Sequence, residues 1–272
     1  MSTDQSRTAR TLVTTLQQTI ERYRGVVLRI LAIGLLVGVW ELYASTQPAY
    51  LFPQWAVIAE AFLEQIAEFG LVEAFTRTML TVFVGYAIAV VVGVAVGLSM
   101  GLDERIEVML NPYVSAMYIA PVSALIPVII MVGGATFESR VFVVFLFVVF
   151  EMTVNTMNGT KTVPDGLMNA ARSFGGGRAT IIRRIVIPYT SPYIFAGMRL
   201  GIGRAIKGVI LAELLIEFSN LGQIIREWEQ MFQIAGVLSI TLLLMITGIV
   251  LTRAVSVVRN RVITWETGGD AE

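Results

Sequence analysis

Ten consecutive apolar residues, Val141 to Phe150, stand inside one of several long apolar runs, and those runs limit what this chain can fold into. A helix needs about 20 mostly apolar residues to cross the hydrocarbon of a bilayer. Backbone polar groups there must be satisfied within the segment, so a span is either a helix or part of a closed barrel. Runs of helical length recur near 26–45, 72–100, 108–132, 141–160, 189–215 and 234–256. The chain is 56% hydrophobic and 15% charged, with a mean hydropathy of +0.74, far too apolar for a soluble domain of 272 residues. The expected fold is an all-α membrane protein with about six transmembrane helices. A transmembrane domain over 26–256 is flanked by cytoplasmic tails over 1–25 and 257–272.

Several segments carry finer signals. The first run is longer than the apolar region of a signal peptide, about 7–15 residues, and Tyr43-Ala44-Ser45 makes a poor cleavage site, so it reads as a retained helix. Between Gln54 and Phe69 the pattern turns amphipathic, and Glu60, Glu64 and Glu68 line one face of a surface helix. A tight turn is expected over Gly101 to Arg105. Pro112, Pro121 and Pro127 predict a kinked or broken third span. A short helix is expected within 216–232, beside Glu217, Arg226, Glu227 and Glu229. Gly34/Gly38, Gly93/Gly97 and Gly197/Gly201 fit Gly-x3-Gly and argue for close helix packing, not for a particular dimer face.

Placement of Lys and Arg sets the orientation. With the N-terminus inside, Arg7, Arg10, Arg22, Arg24, Arg29, Arg105, Lys161, Arg172, Arg178, Arg183, Arg184, Arg253, Arg259 and Arg261 all fall on the cytoplasmic side. Arg77, Arg140 and Arg226 fall outside. That bias predicts both termini in the cytoplasm. Net charge is zero, which removes the case for nucleic-acid binding. Without Cys there is no disulfide framework or thiolate metal site, and without His no imidazole base or metal ligand. An enzyme would need paired carboxylates near one face, and none stand out.

Residues 161–188 interrupt the apolar pattern with a basic, two-part loop. Asp165, after Val163-Pro164, is placed to cap a helix beginning near Gly166. Gly175-Gly176-Gly177 would end that helix, since glycine readily takes the left-handed conformation. A second helix is expected from Ala179 to Ile187, carrying Arg183 and Arg184 and ending at Pro188. Small Ala170 and Ala171 would let a partner surface approach closely. An ordinary basic cytoplasmic loop is the plain alternative.

The spacing Asn169-Ala170-Ala171-x3-Gly175-x9-Ile185-x-Ile187-Pro188 resembles the EAA loop of ABC importer permeases, Glu-Ala-Ala-x3-Gly-x9-Ile-x-Leu-Pro. Asn169 replaces the usual Glu, and Ile187 the usual Leu. Pro192, Gly197-Met198-Arg199, Glu213 and Leu221-Gly222 are similar to the series in nitrate/sulfonate/taurine-type permeases, as are the three prolines and Asn155-Thr156. The likeness covers about residues 70–250. Phe150 to Val154 departs from that group's Phe-Phe-Pro, which leaves the substrate open.

The resemblance implies a type I ABC importer permease in the cell (inner) membrane. It implies a cytosolic ABC ATPase dimer, a second permease copy or homologue, an extracytoplasmic substrate-binding protein, membrane lipid around the spans and a small-molecule substrate. An ATPase-coupling loop is implied at Asn169, Ala170, Ala171, Phe174, Gly175, Arg183, Arg184, Ile185 and Pro188. No cofactor is expected in this chain, because ATP would be bound by the partner subunits; a Walker A loop needs Gly-Lys, and the chain has no such dipeptide. The expected substrate is of the sulfonate, nitrate, taurine or carboxylate kind, with a nitrogen heterocycle as the alternative. A secondary transporter is the rival reading, although no internal repeat supports it.

Four charged residues lie within the fifth run: Arg199, Arg204, Lys207 and Glu213. Arg199 is placed to snorkel to the membrane surface, while the other three must face protein or water. Arg204 and Lys207 share a helix face, and Glu213 falls nearly opposite. One reading makes Glu151, Arg204, Lys207 and Glu213 part of a translocation pathway that favours an anion. The other makes them structural pairs between helices, with Glu151 as a partner for the cations.

Overall fold

The computed structural model describes residues 24–25, 27–216 and 219–263, so Glu217, most of the expected N-terminal tail and the end of the C-terminal tail lie outside it. Every regular element among these residues is helical. α1 (Val27–Ala44), α3 (Leu71–Leu102), α6 (Phe137–Lys161) and α11 (Ile234–Val262) are each long and apolar enough to cross a bilayer. Two bent helix pairs raise the number among the described residues to six when each pair is counted as one broken span.

The first broken span is the proline-bearing one. α4 (Glu104–Ile119) meets the segment Val122–Gly133, which ends in α5 (Ile126–Gly133), at 92°. Pro121 makes the break: it offers no N–H and holds Ala120 extended, at ψ 142°. Pro127 sits at the start of α5, where a missing N–H costs nothing, and α4 carries Pro112 internally. The other broken span joins α9 (Ile187–Ile216) to the amphipathic α10 (Asn220–Gln230). The turn expected at 101–105 is shorter than the sequence suggests. Gly101 and Leu102 complete α3, and Asp103 caps α4 by accepting from the Arg105 N–H.

α6 is the centre of the bundle, packed along α3 on one side and α9 on the other. Glycine makes both approaches close. A Cβ at Gly97 would lie 2.6 Å from the Thr153 carbonyl oxygen, and Gly197 and Gly201 lie against Asn155 and Val148. In lipid the hydrophobic effect gives little drive for helix association, so close contact of this kind has to supply it. The pairs at 93/97 and 197/201 therefore pack helices within one chain, whereas Gly34 and Gly38 meet nothing within 4 Å.

α2 (Trp55–Glu68) lies against α11, burying Ile58, Ala61 and Gln65 and exposing Glu60, Glu64 and Glu68. Gln65 fixes that contact, donating to the Gly236 carbonyl (2.9 Å) and accepting from Ser239 Oγ (2.9 Å). The Glu41 carboxylate of α1 accepts from the Trp55 N–H at the positive end of α2 (3.1 Å).

Candidate functional site

Loop 161–188 folds as two short helices joined by a glycine turn. α7 (Asp165–Ser173) begins one residue earlier than the expected cap allows. Pro164, with φ fixed at −63°, takes the N-cap position, and Asp165 becomes the first helical residue. Its carboxylate then sits in the first turn, where the helix dipole favours it, rather than capping the end. The far end closes as the glycines predict. Gly175 has φ +78°, its N–H donates to the Arg172 carbonyl (2.9 Å), and the Gly176 N–H reaches back to Ala171 (2.9 Å). That pair of bonds with a left-handed glycine is a Schellman end.

The second helix does not stop at Pro188. α8 (Arg178–Ile181) passes through a π-helical turn, Ile182–Val186, directly into α9. In a regular α-helix the Pro188 ring would clash with the carbonyl four residues back, at Arg184. The wider turn opens the stretch where that clash would fall.

Val163, Ile181 and Val186 are buried and anchor the loop to the bundle. A cleft of about 370 Å³, lined by Leu102, Asp103, Met168, Arg172, Arg178 and others, separates it from the end of α3. Asn169, Ala170, Gly175, Arg183 and Arg184 are exposed, while Ala171, Ile185 and Pro188 are half-buried. Phe174 is 92% exposed at the tip of α7. Asn169 accepts from Arg172 Nη1 through its side chain (3.3 Å) and from Ser173 Oγ through its carbonyl (3.0 Å), both exposed bonds within α7.

A second constellation lies where α4, α6 and α9 meet. Arg204 Nη2 is 2.6 Å from Glu151 Oε2, and its guanidinium stands 5.0 Å from the centre of the Tyr118 ring. Asn155 Nδ2 donates to Glu151 Oε1 (2.8 Å) and to the Glu151 carbonyl (2.8 Å). This is the pairing with Glu151 that the sequence offered as its second reading for the cations. It holds for Arg204 alone. Lys207 is exposed one turn further on and has no ion-pair partner among the described residues. With Leu200, Gly203 and Leu215 it lies on an uncovered stripe of α9.

Glu213 is elsewhere. It is fully buried, accepting from Thr78 Oγ1 (2.8 and 3.0 Å), Asn220 Nδ2 (3.1 Å) and the Gly222 N–H (3.3 Å). It ties α9 to α3 and α10, and a Cβ at Gly222 would come within 2.6 Å of Glu213 Cβ. The structure thus gives Glu213 a different set of partners from Arg204, on α3 and α10 rather than α6. Thr78 and Tyr118 carried no signal of their own, since each reads as one more residue of an apolar span.

Residues 85–264 match the family described as the binding-protein-dependent transport system inner membrane component. The chain belongs to that family, as an ABC transporter permease. Members work in general with an ATPase and a substrate-binding protein, and they are transport components of the membrane. The permease is 27% identical over 233 residues to the formylaminopyrimidine transport permease of Halalkalibacterium halodurans, covering 85% of this chain and 92% of that one. It is 24% identical over 240 residues to the nitrate import permease of Leptolyngbya laminosa, covering 86% of each. A crystal structure of an amino acid ABC transporter with histidines shares its fold, at TM-score 0.56 and 19% identity over 74% of this chain and 98% of that one.

Proposed function

We propose that this permease forms a solute path across the cell membrane with a second permease copy or homologue, driven by a cytosolic ATPase dimer that docks on loop 161–188. One observation carries the docking: α7 is fixed by a glycine turn and buried anchors, yet has no buried residue and ends in a bare Phe174. An apolar helix face left uncovered beside exposed Arg183 and Arg184 suits a soluble partner better than lipid. Motion of the ATPases would pass along the unbroken α8–α9 helix to the membrane interior.

The uncovered stripe of α9 forms the wall of the path, with both termini in the cytoplasm and a substrate-binding protein delivering solute from outside. The solute is of the sulfonate, nitrate, taurine or carboxylate kind. The nitrate importer among the relatives supports that class, and the formylaminopyrimidine importer keeps a nitrogen heterocycle as the second reading.

Phe174→Ala tests the docking. Its side chain touches little in the permease, so the fold should be unaffected. Loss of an aromatic anchor at an interface is worth about 2 kcal/mol or more, some thirtyfold in affinity. Co-purification of the ATPase and ATP-dependent uptake should fall together. Full retention of both in Phe174→Ala and in Ala171→Asp would remove the docking site from this loop.

A further inference from the structure

We propose that Lys207, Arg204 and Tyr118 form a binding station inside the membrane for a small monoanion bearing a carboxylate, sulfonate or similar oxoanion group. The proposal rests on the reading of the α9 stripe as the wall of the solute path.

Depth is the first argument. Arg204 and Lys207 lie about 26 and 30 Å along α9 from Ile187, at about 1.5 Å per residue. A 30-residue helix is about 45 Å long, so when centred on a hydrocarbon core of about 30 Å it would hold both cations within that core. A cation at that depth needs water, protein or an anion beside it, and Lys207 is exposed with no partner among the described residues.

Charge is the second. Glu151 is buried, with one oxygen on Arg204 and the other on Asn155, so its charge is committed to Arg204 and shielded from a solute. It balances Arg204 and leaves the face with the single positive charge of Lys207. A monoanion would neutralise that face, whereas a cation would meet repulsion and a dianion would leave charge uncompensated.

Geometry is the third. Glu151 and Tyr118 hold Arg204 from one edge and one ring face, yet 38% of its side chain remains exposed. A guanidinium has five donors in a planar fork, so an edge remains for a second oxoanion. Lys207 supplies a mobile point charge one turn away. Gly203, next to Arg204 and one turn before Lys207, has no side chain and a Cβ there would meet nothing within 4 Å, which leaves room for a solute against the backbone. Glu151 and Asn155 act here as positioning residues, behind the surface that a solute would touch.

The chain has no cysteine, so a single Gly203→Cys provides a probe at the station. The full chain, in membranes of cells expressing the complete transporter, is treated with an ethylsulfonate or a trimethylammonium methanethiosulfonate. Rates are normalised to those with a free thiol. The anionic reagent should be favoured by about tenfold, which is the preference expected of one unscreened charge at close range. Lys207→Gln should collapse that ratio, Lys207→Arg should restore it, and methanesulfonate or nitrate should slow labelling. Comparable normalised rates for both reagents, unchanged by Lys207→Gln, would overturn the station and leave the path reading intact. Failure of the Gly203→Cys thiol to react with either reagent would overturn the path reading itself, and the station with it.

Discussion

Replacing Gly97 by alanine adds one methyl group, and the structure puts that methyl where α6 already is. The new Cβ would lie 2.6 Å from the Thr153 carbonyl oxygen, 2.7 Å from Thr156 Cβ and 3.0 Å from the Met157 nitrogen. Unstrained carbon contacts fall at about 3.5–4.0 Å, so the shortfall is roughly 1 Å. Two of the three atoms are backbone and cannot rotate aside, so the helices must part. Overpacking alone costs about 1–3 kcal/mol. A gap opened by about 0.5–1 Å also forfeits a quarter to a half of each neighbouring contact.

A cost of about 3 kcal/mol follows, which lowers the unfolding temperature by on the order of 6–10 °C for a chain of this size. Gly203→Ala is the internal control, with the same chemistry in a helix interior and nothing within 4 Å. Alanine is favoured there by about 0.5–1 kcal/mol, so that variant should melt no lower than the parent. Thermal unfolding of the purified permease in detergent, followed by tryptophan fluorescence, reads both. Equal melting of the Gly97→Ala variant and the parent would refute the close α3–α6 contact, and an equal fall in Gly203→Ala would refute the assignment of its face as uncovered.

Two further outcomes are expected. Glu213→Gln turns an amide donor toward donors already aimed at this carboxylate, the Gly222 N–H among them, and should destabilise the protein by about 1–3 kcal/mol. The same melting assay reads it, and a value unchanged from the parent would mean that Glu213 does not brace α10. A cysteine in place of the exposed Glu64 should react with a membrane-impermeant reagent added outside the cell, as the Lys and Arg bias requires. Labelling only from the inside would reverse the topology.

The site was legible in part. Spacing alone located loop 161–188, and the left-handed turn at Gly175 is where glycine chemistry puts it. That is a local matter, settled over a few residues. The route beyond it was misread because a proline is a reliable helix stop only in a regular α-helix, and the π turn ahead of Pro188 removes the clash. Asp165 was misassigned for a similar reason, one residue of phase set by Pro164.

By itself the sequence determined how many apolar runs there are, where they break and on which loop the family motif falls. Hydrocarbon obliges each segment to satisfy its own backbone, so a span is written in consecutive residues. Only the tertiary structure decided which charges meet. Arg204 finds Glu151 on α6, and Glu213 finds Thr78 on α3, at separations in the chain for which no spacing rule exists. Those pairings depend on the angle at which each helix faces its neighbour. That angle is set by glycines along α3 and α9 whose effect appears only when two helices come together, and so the tertiary fold left Lys207 bare and hid Glu213.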